Sequence, residues 1–128
     1  MAYYNTKIID GSFEAAIDKV TEELKKEGFG IITEIDVQAT LKKKLDVDFR
    51  RYKILGACNP SFAYKALQTE ENIGVLLPCN FIVQEKGEGV VHVSAINPME
   101  SMSAVKNENL GSVAAEVAQR IMKVLEKV

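Results

Sequence analysis

Tyr52-Lys53-Ile54-Leu55-Gly56-Ala57-Cys58-Asn59-Pro60, then a short helical pattern, then Ile73-Gly74-Val75-Leu76-Leu77-Pro78-Cys79-Asn80: this is the stretch that decides the fold of the chain. It holds both cysteines and two of the three prolines. The alternation up to Gly56 reads as a strand, in which successive side chains face opposite sides of a sheet. Asn is a favoured N-cap, and Pro fits the first helical position because the N–H it lacks would have no partner there. Asn59-Pro60 therefore opens a helix, with Phe62, Ala63, Ala66 and Leu67 as its apolar side. A further strand is expected over residues 73–84, with Pro78 forcing a bulge or an edge, because proline cannot donate to a sheet ladder. The two motifs bring Cys58 and Cys79 back towards one sheet, and their thiols are expected to face one cleft.

Upstream, Tyr3 to Ile9 reads as a first strand closed by the turn Asp10-Gly11-Ser12. Ser12 is placed to cap a helix in which Phe13, Ala16, Ile17, Val20 and Leu24 recur at three- and four-residue steps, and Gly28 ends it in a left-handed conformation. Gly30 to Ile35 is a second strand, and Asp36 caps a second helix whose buried side is Val37, Leu41 and Leu45. The third strand spans Phe49 to Gly56, with Tyr52 and Ile54 on one face and Arg51 and Lys53 on the other.

Downstream, Lys86-Gly87-Glu88-Gly89 turns the chain into Val90 to Ile96, a β-hairpin. Asn97-Pro98 repeats the capping device, and Val113, Val117, Ile121, Val124 and Val128 form the stripe of a long C-terminal helix. The order is β-α-β-α-β-α-β-β-α. The hairpin requires an antiparallel pair, so the fold is α+β, with a mixed or antiparallel sheet of about five strands and helices packed on it. No repeat, linker or low-complexity stretch interrupts residues 1–128, which read as one domain.

A chain of 128 residues, 47% hydrophobic and 27% charged, is suited to one globular core. Its net charge of −2 supplies no field to draw in a polyanion, so neither nucleic acid nor an acidic membrane is an expected partner. Lys42-Lys43-Lys44 reads as the solvated face of the second helix. No basic head with an apolar run follows Met1, and nothing approaches the roughly 18 apolar residues of a membrane span. A cytoplasmic protein is expected, with two free thiols and no disulfide framework. There is no Gly-x-Gly-x-x-Gly turn and no Gly-Lys-Ser phosphate loop, and no cofactor is expected.

Cys58 stands beside a helix N-terminus, where the macrodipole favours an anion and can lower a thiol's pKa. That makes it the candidate catalytic nucleophile, or a ligand-binding thiol. It is equally well read as a small hydrophobe filling a strand–helix junction. Cys79 falls on the odd-numbered face with Leu77, Phe81 and Val83, an apolar face by periodicity alone. Asn59 and Asn80 are candidate ligand-binding amides, each with a local explanation as well: a helix cap, and the backbone around Pro78. The separation of Cys58 and Cys79 is not a self-identifying zinc spacing, and His92 is the one histidine, so no metal is expected. His92 points away from Val91 and Val93, to a surface or an edge.

On the two cysteine motifs, with support from Gly28-Phe29 and from Glu34-Ile35-Asp36-Val37-Gln38-Ala39-Thr40-Leu41, the chain resembles the family known as domain of unknown function 302 over nearly its whole length. The resemblance implies a small α+β domain that tends to dimerise; it implies no activity and carries over no catalytic residues. Three functions remain open: a small-ligand-binding or sensing domain with a pocket near Cys58 and Cys79; a cysteine-dependent redox protein or enzyme, in which Cys79 resolves an oxidised Cys58; and a structural dimeric interaction module. A homodimer is expected through a sheet edge or the hairpin face, where Val90 to Ile96 and Phe81 to Val83 offer apolar strand surface.

Overall fold

A computed structural model describes residues 2–128. Along the chain run β1 (Tyr4–Asp10), α1 (Phe13–Lys26), β2 (Gly30–Asp36), α2 (Val37–Leu45), β3 (Tyr52–Cys58) and α3 (Pro60–Thr69). A 3-10 helix (Glu71–Leu76), β4 (Cys79–Gly87), β5 (Val90–Ile96), α4 (Pro98–Ser101) and α5 (Glu108–Lys127) follow. The strands make one sheet in the order β1-β5-β4-β3-β2. Every neighbouring pair is antiparallel, so of the mixed and antiparallel sheets expected, the chain builds the latter.

Capping fixes the helix starts where the sequence placed them. The Ala15 N–H donates to Ser12 Oγ at 3.0 Å and the Ala39 N–H to Asp36 Oδ1 at 2.9 Å. Gly28, at φ +83°, closes α1: its N–H reaches the Lys25 carbonyl and the Phe29 N–H reaches the Leu24 carbonyl at 2.9 Å. This double bond satisfies carbonyls that would otherwise end the helix unpaired.

The core lies on one face of the sheet. Odd-numbered residues Leu55, Phe81, Val83, Val91 and Val93 are fully buried against Phe13, Val20 and Leu24 of α1 and Ile121 and Val124 of α5. On β3 the core face is the one that carries Lys53, with Arg51 just before the strand on the same side. Arg51 is kept there by pairing with Glu14 and lying 4.5 Å from the centre of the Phe13 ring, and Lys53 by a 2.7 Å contact with Glu34. The even-numbered face holds a row running across all five strands, Ile35-Ile54-Ile82-Ser94-Thr6. Tyr4, Ile8, Ile35, Ile54 and Ile82 on that face belong to neither hydrophobic cluster.

Three local expectations need correction. No residue of α2 is buried, and Leu45 is 66% exposed. This helix joins two adjacent antiparallel strands at their shared end and has no sheet face to cross. The third strand begins at Tyr52, later than Phe49, and continues to Cys58. Residues 73–84 are not one strand: Ile73 to Leu76 coil in the 3-10 helix, and pairing starts only at Cys79. Pro78, after a cis peptide bond, stands just ahead of the ladder, where its missing N–H interrupts nothing.

Candidate functional site

The Cys58-Asn59-Pro60 junction does what its residue types dictate. Cys58 is the last residue of β3, and Asn59 caps α3 by accepting from the Phe62 N–H at 3.4 Å. The Asn59 amide also donates to the Glu27 carbonyl at 3.5 Å, and Arg120 of α5 donates to the same carbonyl at 3.2 Å. The end of α1, the start of α3 and the middle of α5 are thereby tied at one oxygen. At its other end α3 is held again, because Asn107, which caps α5, donates to the Thr69 carbonyl at 2.9 Å.

Helix α3 is thus fastened towards α5 at both ends, while the residues lining the gap between the ties include the small Ala63 and Ala66 on α3 and Ala114 on α5. Space remains between them. A cavity of about 360 Å³ runs from this gap to the end of the sheet. Ala57, Cys58 and Cys79 form its sheet wall, Leu77 and Pro78 the turn into β4, and Phe29, Phe62 and Met102 close it. Its mouth is apolar as well. The β2–β3 register slips between Ile31 and Thr33, which leaves Ile32 as a bulged extra residue; it lines the cavity while 62% exposed. Bulges re-aim side chains in this way. Leu67, 43% exposed, lines the opposite lip.

Both predicted cysteines line this cavity, and they differ. Ala57 pairs directly with Cys79, so those two share the core face; Cys58, one residue later, starts from the other side of the pleat. Cys58 is half-buried, and Cys79 is buried. Burial pushes the Cys79 thiol up to about 11, with a smaller push from the neighbouring Cys58. Asn59 lines the cavity too, but both ends of its amide are already engaged in the junction. Asn80 is not brought to it: exposed, it lies on the even-numbered face in a shallow hollow with Tyr52, Ile82 and His92. Of the four residues expected to share one site, Cys58, Asn59 and Cys79 line this cavity and Asn80 does not, since it follows Cys79 by one residue and the pleat turns it away. Among the described residues no group of three or more His, Cys, Asp or Glu is placed to hold a metal ion.

The apolar wall from α5 and the bulged Ile32 carry no site signature of their own in the sequence. The small residues at facing helix positions were the available signal, since Ala63 and Ala66 looked only like a helix's apolar side.

The raised Cys79 thiol has a measurable consequence. Unfolding returns it to its ordinary value of 9.0. Between that value and about 11 the folded protein keeps a proton the unfolded chain has lost, so stability is full below about pH 9 and falls as pH rises through about 11. Urea unfolding at about pH 8 and about pH 11 should show a loss roughly 2–3 kcal/mol larger in the native sequence than in Cys79→Ala. Equal losses would show that the thiol titrates normally in the fold.

Residues 4–128 match the family described as domain of unknown function DUF302. The chain is similar to a crystal structure of an uncharacterized conserved DUF302 protein from Bacillus stearothermophilus, with a TM-score of 0.91 and 26% sequence identity over 99% of this chain and 98% of that one. No curated protein matches it. No helix of the described residues is long and apolar enough to cross a membrane.

Proposed function

We propose that this chain, which belongs to the DUF302 family, is a small-molecule-binding or sensing domain whose ligand is uncharged and apolar and occupies the cavity between α3, α5 and the end of the sheet. The observation that carries this reading is the cavity's lining. No charged side chain contributes to it, and its one amide side chain is already engaged. Its volume of about 360 Å³ falls in the range of about 300–1,000 Å³ common to small-molecule sites. In a reducing cytoplasm, the setting proposed here, both thiols stay free. The redox reading is less favoured, because a resolving thiol must ionise and meet its partner. Cys79 is held protonated and starts from the opposite side of the pleat from Cys58.

Titration with phenylnaphthylamine, a neutral fluorophore, tests the proposal. A saturable one-to-one rise in emission, with a Kd on the order of micromolar, is expected. No binding by this probe or by a panel of neutral hydrocarbons of similar size would refute it.

The even-numbered sheet face supports a second, compatible reading, that two copies of the chain pair. Phe81 and Val83, expected from the sequence to offer apolar strand surface to a partner, are fully buried under the helices. The apolar surface the sheet leaves open is instead Ile8, Ile35, Ile54 and Ile82, of which Ile8 is 62% exposed. In a two-fold dimer each substitution acts twice. Ile82→Lys, near the centre of that face, is expected to convert a dimer to monomer at tens of micromolar while leaving the far-UV spectrum unchanged. Sedimentation velocity reads the result, and a native chain that already sediments as a monomer ends this reading.

A further inference from the structure

Apart from Cys58 and Cys79, the side chains lining the cavity are hydrocarbon, the Met102 thioether, and the engaged amide of Asn59. Cys79, only 8% exposed, contributes a thiol that donates no side-chain hydrogen bond among the described residues and is held protonated by burial. Cys58 is different in place. It is half-buried where β3 hands over to α3, beside the positive end of a ten-residue helix, and it lines the same cavity. One thiol is therefore sealed against the apolar wall, and the other, on the same wall, keeps part of its surface accessible.

Resting on the reading of the cavity as an apolar-ligand site, we propose that Cys58 is the acceptor of an acyl chain delivered as a thioester, and that the chain lies in the cavity between α3 and α5. An acyl thioester has two unlike parts, a hydrocarbon tail and a hydrophilic carrier, and its reactive carbonyl sits where they join. A site for it needs an apolar cavity, a nucleophile at the mouth, and water outside for the carrier. That is the arrangement of the cavity, Cys58 and the solvent beyond the lip formed by Ile32 and Leu67. The step balances without an oxidant or reductant. Cys58 Sγ gives up its proton and attacks the carbonyl carbon; the new carbon–sulfur bond forms, the bond to the carrier sulfur breaks, and the carrier thiolate takes up a proton. Negative charge passes through the attacking sulfur and the tetrahedral oxygen, and the N-terminus of α3 lies on the side that favours it. The cavity of about 360 Å³ has room for a medium-length hydrocarbon chain and far more than an acetyl group needs.

The full-length protein is incubated with decanoyl-coenzyme A or acetyl-coenzyme A at equal concentration, and intact mass and peptide mapping read the product. One decanoyl group on Cys58 is expected, at least about tenfold faster than acetyl, because only the longer chain gains from burial. Neutral hydroxylamine should remove it, and Cys58→Ala should not acquire it. Ala63→Phe, which fills the cavity, should bring the decanoyl rate down to the acetyl rate while iodoacetamide still labels Cys58 as in the native protein. Equal rates for the two thioesters, or decanoyl groups on lysines alone, would overturn the proposal. If phenylnaphthylamine still binds in that case, the acylation inference fails and the apolar-ligand reading stands; if it does not, both fail.

Discussion

Phe81→Ala is expected to lower the free energy of unfolding by about 3–5 kcal/mol, the largest effect of any single truncation considered for this chain. Phe81 is the third residue of β4, wholly buried on the face that α1 and α5 cover. Its two ladder partners, Leu55 and Ala95, are buried as well. Removing the ring loses both its transfer free energy and the contacts of the walls left around it, and neighbours fixed by strand pairing can close the hole only in part. For a single domain of 128 residues this should lower the melting temperature by about 10–20 °C. Urea denaturation followed by circular dichroism measures the change. A loss of less than about 1 kcal/mol would mean that Phe81 is not enclosed as described.

Ala63→Phe is expected to weaken phenylnaphthylamine binding about a hundredfold while changing the unfolding free energy by less than about 1 kcal/mol. The two halves of this expectation have one cause. Ala63 lies between the two ties that hold α3 to α5 and looks into open volume, so a phenyl group there takes space that a ligand would use and displaces no packed side chain. In a close-packed core the same change would cost about 1–3 kcal/mol. Fluorescence titration and denaturation on one sample read both numbers. Unchanged binding would place the ligand elsewhere, the hollow around His92 and Asn80 being the next place to look.

The element order, the helix caps and the cysteine–helix junction were legible in the sequence because each depends on residues a few positions apart. Ser12, Asp36 and Asn59 cap the helices they precede, and Gly28 adopts the positive φ expected of it. What was not legible depends on residues far apart. Nothing local in Val37, Leu41 and Leu45 says that α2 lies at the end of the sheet. Nothing in Ile73 to Leu77 distinguishes a buried strand from a 3-10 turn, since a short apolar run fits both. The cavity is the clearest case. Its existence follows from the bonds of Asn59 and Asn107 to distant carbonyls combined with alanines on two helices, a relation no single helical wheel contains. Gly56 is similar. A Cβ there would meet the Pro78 ring at 2.8 Å and the Thr33 hydroxyl closer still, so the glycine lets the Thr33 side chain of β2 and the turn into β4 close on β3, although in sequence it looks like an ordinary strand glycine.

The sheet order β1-β5-β4-β3-β2 also orders events in time. The first strand to leave a ribosome has one partner in the sheet, and that partner is the last strand to be made. Thr6 and Ser94, hydrogen-bonded at 2.7 Å, are 88 residues apart. The β4–β5 hairpin, by contrast, closes through a turn of a few residues at small entropic cost, while β1 has no sheet partner until β5 presents its free side. A nascent chain carrying β1 exposes the pairing groups of a strand for most of its synthesis. Lys7 and Asp10 set charges within that strand, and charged side chains of this kind discourage the association of an unpaired edge.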